Sequence, residues 1–150
     1  MINESLGNIE LMKHPTIAFL CSQSVPSSVV LKSYNWAKQM REQGRCVICG
    51  NHSQIEKDVF EILLRGSQPL VLALARGIYK KWDRAILRAL EDNRLLVISP
   101  FDGTVTRVTR QTSKSRNELI ISFATQIVAG YVSPNGQLAT LLQNKTHLTL

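Results

Sequence analysis

Short apolar runs alternate along the chain with segments in which apolar residues recur at helical spacing. We predict strands in the apolar runs, because each is too short for a helix and is bounded by glycine, proline or polar residues. Helical spacing is clearest between Trp82 and Leu90. The predicted strands cover residues 16–21, 45–50, 69–75, 95–99 and 127–132.

The predicted strands are continuously apolar instead of alternating, which indicates a parallel sheet covered on both faces by helices. We therefore expect a doubly wound, three-layer α/β domain with a mainly parallel sheet of about five strands. Residues 15–143 would form this domain, after an N-terminal extension (1–14) and before a flexible tail (144–150). A short last helix is predicted over 136–143, and residues 102–113 are predicted to be an irregular loop.

The composition is that of one globular domain, with 44% hydrophobic and 19% charged residues. No apolar run approaches the roughly 18 residues that a membrane span needs, and the N-terminus lacks the pattern of a secretory signal. Three cysteines, an odd number, fit a reducing compartment. The expected location is therefore the cytoplasm. The net charge of +7 favours anionic partners, phosphates above all.

The carboxyl ends of parallel strands meet at one edge of the sheet, where ligands bind in this fold class. Polar or glycine-containing stretches follow the predicted strands at 22–24, 50–53, 76–77 and 133–136. Basic residues cluster at 76–88 and at 107–116, so both clusters would flank that edge. The sequence therefore predicts a phosphate-binding site there, although it contains neither a P-loop nor a Gly-x-Gly-x-x-Gly turn.

Candidate metal and catalytic groups are sparse. Cys46 and Cys49 lie three apart on a strand, so their side chains should point to opposite faces and not bind one metal ion. His52 is the one histidine placed at the predicted edge, and Glu56 and Asp58 are expected on a helix surface. We predict no metal, no cofactor and no catalytic residue, and consider enzymatic activity the less favoured alternative.

Two stretches resemble the DNA processing protein A (Smf) family. Residues 115–121 (SRNELII) resemble its Arg-Asn-Arg helix start, and residues 133–140 (SPNGQLAT) resemble its Ser-Gly-Ser-Leu-x-Thr-Ala loop after the last strand. The resemblance extends diffusely over 15–143. It implies a Rossmann-like domain of the superfamily that includes the "lonely guy" phosphoribohydrolases. It also implies single-stranded DNA binding in a basic pocket and, in full-length members, loading of a recombinase.

The resemblance also implies the site residues. Arg116 and Asn117 match the first two residues of Arg-Asn-Arg, and Glu118 replaces the third. Residues 74–78 (LARGI) spell part of another family motif, but the strand count places that motif at Gly50. In the other register, Arg76 becomes the principal phosphate contact. The candidate ligand- and phosphate-binding residues are Ser22, Gln23, Gly50, Asn51, Arg76, Gly77, Arg110, Lys114, Arg116, Asn117, Asn135 and Gly136.

The predicted function is non-catalytic binding of single-stranded DNA or a nucleotide, in DNA processing or recombination and with a recombinase as a candidate partner. One alternative is an enzyme that acts on a small nucleotide through His52 or Glu118, which requires a carboxylate or histidine beside Arg116. Another is a homodimeric scaffold that associates through Trp36, Trp82 or the last strand, which requires an exposed apolar patch.

Overall fold

A seven-stranded sheet forms the centre of the structure, a computed structural model that describes all residues from 1 to 150. A 3₁₀ helix covers Ile9–Lys13. The strands are β1 (Glu4–Gly7), β2 (Thr16–Leu20), β3 (Cys46–Cys49), β4 (Leu70–Ala73), β5 (Leu95–Ser99), β6 (Gln126–Ala129) and β7 (Leu148–Thr149). The α-helices are α1 (Ser27–Glu42), α2 (Gln54–Leu64), α3 (Arg84–Glu91), α4 (Arg110–Phe123) and α5 (Gln137–Leu142).

The strand order is β1-β5-β4-β3-β2-β6-β7, and every pair is parallel except β1 with β5. The chain moves from β2 outward to β5 and then returns to place β6 on the other side of β2. This confirms the predicted α/β class and the five parallel strands. The two additional strands come from the terminal segments, where β1 and β7 are short and mostly exposed. Hydrophobic periodicity gives no sign of such strands.

Alternate residues of the inner strands enter two separate cores, one on each face of the sheet. One core packs against α1, α2 and α3 and contains Cys49, and the other packs against α4, α5 and the 3₁₀ helix and contains Cys46. The prediction that these two cysteines face opposite sides is thus confirmed. No helix has the length and apolar character that crossing a bilayer would require.

Helix α4 begins earlier than the sequence pattern predicts. Residues 102–113 were expected to be irregular, but the helix starts at Arg110 after a reciprocal cap. The Thr112 N–H donates to the hydroxyl of Thr109, and the Thr109 N–H donates to the hydroxyl of Thr112. The usual signature of such a cap has Glu or Gln at the later position, so a Thr-x-x-Thr pair escapes notice. Arg110 and Lys114 therefore lie on the first turns of a helix and not in a loop.

Candidate anion-binding site

A cavity of about 560 Å³ opens at the C-terminal edge of the sheet. It lies beside the end of β2, between the chain segments that follow β3 and β6. Connections leave β2 and β6 in opposite directions at this point, which leaves a crevice between their loops. The wall consists of residues 21–24 after β2, His52 and Glu56 after β3, residues from 108 to 117 around the start of α4, and residues from 133 to 138 after β6.

Arg116 is the most deeply buried charge of the cavity, with only 2% of the residue exposed. Its Nη1 donates to the Gly50 carbonyl at 2.7 Å and its Nε to the Asn117 side-chain oxygen at 2.8 Å. Its Nη2 is buried and has no hydrogen-bond partner. Burial lowers the pKa of the guanidinium, and the negative charge of Glu56 opposes that shift. A buried cation with an unpartnered donor costs free energy. A bound anion that accepts a hydrogen bond from this donor would remove that cost.

Ser113 provides a second unpartnered group in the same cavity. It lies three residues before Arg116 on α4, so the two side chains occupy one face of the helix. Its hydroxyl is buried and, like Arg116 Nη2, has no hydrogen-bond partner. The two unpartnered groups belong to residues on adjacent turns that both line the cavity, a combination suited to an anion with several oxygens.

Gly50 makes the burial of Arg116 sterically feasible. A Cβ atom at Gly50 would lie 2.6 Å from Arg116 Nε and 2.7 Å from its Cζ. A side chain larger than hydrogen would therefore push the guanidinium away from the Gly50 carbonyl. The next residue, Asn51, has a φ of 55°, a left-handed conformation that asparagine tolerates.

Glu56 lies inside the cavity wall and not on the helix surface, so that expectation is wrong. Its Oε1 accepts the backbone N–H groups of His52 and Ser53 at 2.9 and 3.1 Å, and its Oε2 accepts that of Cys21 at 3.0 Å. The carboxylate thereby caps α2 and ties the end of β2 to it. The Ser53-x-x-Glu56 spacing is a capping-box signature, which would have revealed this role.

Three further polar side chains order the loops around the cavity. The Gln23 amide donates to His52 Nε2 at 2.7 Å, which requires the tautomer with a proton on Nδ1. Burial lowers the pKa of His52, and the charge of Arg116 lowers it further, so the ring is neutral at pH 7. The Ser22 hydroxyl accepts the Ser133 N–H at 2.8 Å and so joins the loops after β2 and β6.

Arg76 and Gly77 lie outside the cavity, at the end of β4. Arg76 Nη1 donates to the Thr106 carbonyl at 2.9 Å, and its Cζ lies 3.9 Å from the centre of the Tyr79 ring. The Gly77 N–H donates to the Val105 carbonyl at 2.7 Å. This corner therefore anchors the loop that precedes α4.

Half of the predicted site residues line the cavity, namely Ser22, Gln23, Arg110, Arg116, Asn117 and Gly136. Five others do not line it, namely Asn51, Arg76, Gly77, Lys114 and Asn135. Gly50 is outside the lining but packs against Arg116.

The groups invoked by the alternative functions are also located. Glu118 is exposed and lies outside the cavity. Trp36 is buried and stacks on Phe19, so it is not available as a dimer contact. Burial raises the pKa of Cys21 to about 12, so this cavity-lining thiol stays protonated at neutral pH. No three His, Cys, Asp or Glu side chains are grouped so that they could hold a metal ion.

No protein-family model and no curated protein matches the sequence. Solved structures do match the fold. DNA processing protein A from Helicobacter pylori superposes with a TM-score of 0.77 at 13% identity, over 97% of this chain and 69% of its own. The Streptococcus pneumoniae protein of that name gives 0.67 at 16% identity, over 97% of this chain and 62% of its own. The molybdenum cofactor carrier protein of Chlamydomonas reinhardtii superposes with a TM-score of 0.57 at 13% identity, over 90% of this chain and 75% of its own.

The match to the two DNA processing proteins confirms the fold expected from the resemblance. At such identities it establishes the fold alone, and the chain spans only about two thirds of their length. The chain therefore has the Rossmann-like fold of DNA processing protein A, with a polar cavity at the switch point of its sheet.

Proposed function

We propose that this domain binds single-stranded DNA by seating a backbone phosphate against Arg116. The observation that carries the proposal is the pair of unpartnered groups in the cavity, Arg116 Nη2 and Ser113 Oγ. Phosphate oxygens accept hydrogen bonds from both kinds of donor, and a bond to a charged donor contributes about 1.5–3 kcal/mol. The likeness to the H. pylori protein, which binds single-stranded DNA, supports this choice of ligand.

Arg110 supplies the longer-range attraction. It is the first residue of α4, is exposed and stands at the cavity rim. In the free protein its backbone carbonyl accepts a hydrogen bond from the Gln137 amide at 3.2 Å, which links α4 to the loop after β6. An exposed guanidinium at the rim is free to contact a neighbouring phosphate, and exchange of counterions there makes affinity depend on salt.

The small-nucleotide enzyme is the second candidate, because His52 and Glu56 line the cavity with Arg116. Both groups already have partners, however. The carboxylate oxygens of Glu56 accept three backbone N–H groups, and His52 Nε2 accepts the Gln23 amide. A general base needs a free lone pair within reach of the proton that it removes. These contacts favour binding over catalysis.

We extend the proposal, on the resemblance, to a role in DNA processing beside a recombinase. The resemblance implies that role for full-length family members, and this chain spans 69% and 62% of the two DNA processing proteins. Binding of single-stranded DNA by this domain is the part that its own cavity supports.

Ser113→Ala tests the proposal most sharply. Because the hydroxyl has no partner in the free protein, its removal should leave the free energy of unfolding unchanged or slightly raised. Its loss should weaken binding of a fluorescent oligothymidylate about fivefold to tenfold in fluorescence anisotropy, at about 50 mM salt. Ser33→Ala is the matched control, because Ser33 Oγ is also buried and unpartnered but lies outside the cavity.

Two arginine variants complete the experiment. Arg116→Lys keeps the charge but not the planar guanidinium, and should weaken binding by about tenfold or more. Arg45→Ala removes an exposed arginine that precedes β3, at the opposite edge of the sheet, and should leave affinity almost unchanged. No binding at low salt, or equal binding by wild type and a folded Ser113→Ala protein, would contradict the proposal.

A further inference from the structure

We infer that the cavity selects a singly charged phosphodiester over a doubly charged terminal phosphate, and that Glu56 sets this preference. The inference rests on the proposed function and concerns the same site. Glu56 is buried, with 3% exposed, and lines the cavity together with Arg116, whose buried Nη2 has no hydrogen-bond partner. A carboxylate in a phosphate-binding cavity is unfavourable for any anion, and the penalty grows with the charge of that anion.

The two buried formal charges of the cavity cancel, and one positive charge remains at its exposed rim. Arg116 contributes one buried positive charge and Glu56 one buried negative charge. Arg110 adds a positive charge at the exposed rim, where water and salt screen it. A phosphodiester brings one negative charge, which Arg116 Nη2 can meet. A terminal phosphate carries about −1.5 to −2 at pH 7, since its second pKa is about 6, and the additional charge has no buried partner.

The carboxylate of Glu56 cannot rotate away when an anion arrives. Three backbone N–H groups, from Cys21, His52 and Ser53, fix both of its oxygens at 2.9–3.1 Å. The negative charge of Glu56 also acts on Cys21, another residue that lines the cavity. After burial itself, the charge of Glu56 is the next cause that raises the pKa of Cys21.

Glu56 is the only negatively charged group among the residues that line the cavity. The segment after β2 contributes Cys21, which is protonated, and the segment after β3 contributes His52, which is neutral at pH 7. Helix α4 contributes Arg110 and Arg116, and the cavity residues after β6 carry no charge. Lys57, exposed on α2, lowers the pKa of His52 as a minor cause. Protonation of His52 at lower pH would therefore increase the attraction of the cavity for all anions, and not for one of the two phosphate types alone.

Two probes that differ by one methyl group test the inference without mutation. Thymidine 5′-monophosphate and its 5′-methyl ester would each compete with a fluorescent oligothymidylate at about pH 7.5 and about pH 5.5. The methyl ester carries a single charge at both values, so it also controls for any protonation of His52. We expect the ester to compete about tenfold better at the higher pH, and this advantage to shrink severalfold at the lower pH as the monophosphate gains a proton.

Glu56→Gln should reduce the difference between the two probes at the higher pH, and Glu61→Gln, which removes an exposed carboxylate from the same helix, should not. If the monophosphate competes as well as its ester at pH 7.5 in the wild-type protein, the inference is wrong. The proposed function would still stand if the oligonucleotide binds and Ser113→Ala weakens it. If the oligonucleotide itself does not bind, the proposed function fails first.

Discussion

Gly50 and Arg116 determine where a positive charge is buried in this protein. The Arg116 guanidinium lies against Gly50 with no room for a Cβ atom, and the Gly50 carbonyl accepts a hydrogen bond from its Nη1. Because the other amino group remains unpartnered, the free protein keeps a buried donor that only a ligand or water can satisfy. Sites of this kind trade stability for binding.

Gly50→Ala should therefore impair both folding and binding. The added methyl group would displace the end of the Arg116 side chain, and overpacking of this kind costs about 1–3 kcal/mol. We expect affinity for oligothymidylate, measured by anisotropy, to fall by about tenfold, equivalent to about 1.4 kcal/mol. Gly103→Ala is the control, since nothing lies within 4 Å of the position that its Cβ would occupy. Unchanged affinity in Gly50→Ala would show that the position of the guanidinium is unimportant.

At the scale of elements, the loop that precedes α4 is attached to the end of β4. Arg76 donates to the Thr106 carbonyl, and Gly77 packs so closely on the loop that a Cβ would lie 2.4 Å from the Asp102 carbonyl oxygen. Thr109, three residues after Thr106, caps α4 and lines the cavity. We therefore interpret Arg76 as a residue that positions the cavity wall and does not touch the ligand.

Arg76→Ala distinguishes this interpretation from a phosphate contact. Release of the loop should speed amide hydrogen exchange over 104–109 and weaken oligonucleotide binding severalfold. Loss of a phosphate contact would instead lower the slope of log affinity against log salt by about 0.7 for a single strand. We expect an unchanged slope. Arg107→Ala, which removes an exposed arginine from the same loop, should leave the exchange rates unaltered. A reduced slope without faster exchange would make Arg76 a direct contact.

At the scale of the whole molecule, binding and edge stability should be separable. The cavity adjoins β2, β3 and β6, whereas β1 and the 3₁₀ helix pack at the far edge on β5. Leu11 in that 3₁₀ helix is buried in the same core as the strand residues Leu96 and Ile98. The terminal segment thus covers an edge of the sheet that lies away from the cavity.

Deletion of residues 1–13 should lower the free energy of unfolding by about 3 kcal/mol in urea titrations, because it uncovers β5 and removes Leu11. Affinity for oligothymidylate should remain within about twofold of the full chain while the protein is folded. Deletion of residues 146–150, which removes the two-residue β7, should cost less stability. Lost affinity in a folded protein without residues 1–13 would mean that the terminal segment supports the cavity.

The sequence by itself determined the five inner strands, β2 to β6, and the two helical layers that cover them. Continuous apolar runs such as Leu95–Ser99 need burial on both faces, and the helical repeats between them supply the two covering layers, so local pattern leads directly to a doubly wound sheet. The alternation of side chains along a strand placed Cys46 and Cys49 on opposite faces. Polar residues after the strands also indicated the edge at which the cavity opens, because all parallel strands end there.

Only the tertiary structure decided which polar residues share the cavity and which hold it together. The sequence predicts both Arg76 and Arg116 as phosphate contacts. In the structure Arg76 stacks on Tyr79 and anchors a loop, whereas Arg116 is buried with an unpartnered donor. The capping-box spacing of Glu56 accounts for its local bond to the Ser53 N–H, but only the fold brings the Cys21 N–H, 35 residues away, to the same carboxylate. Burial and hydrogen bonding between distant segments assign these roles, and neither quantity is a property of local sequence.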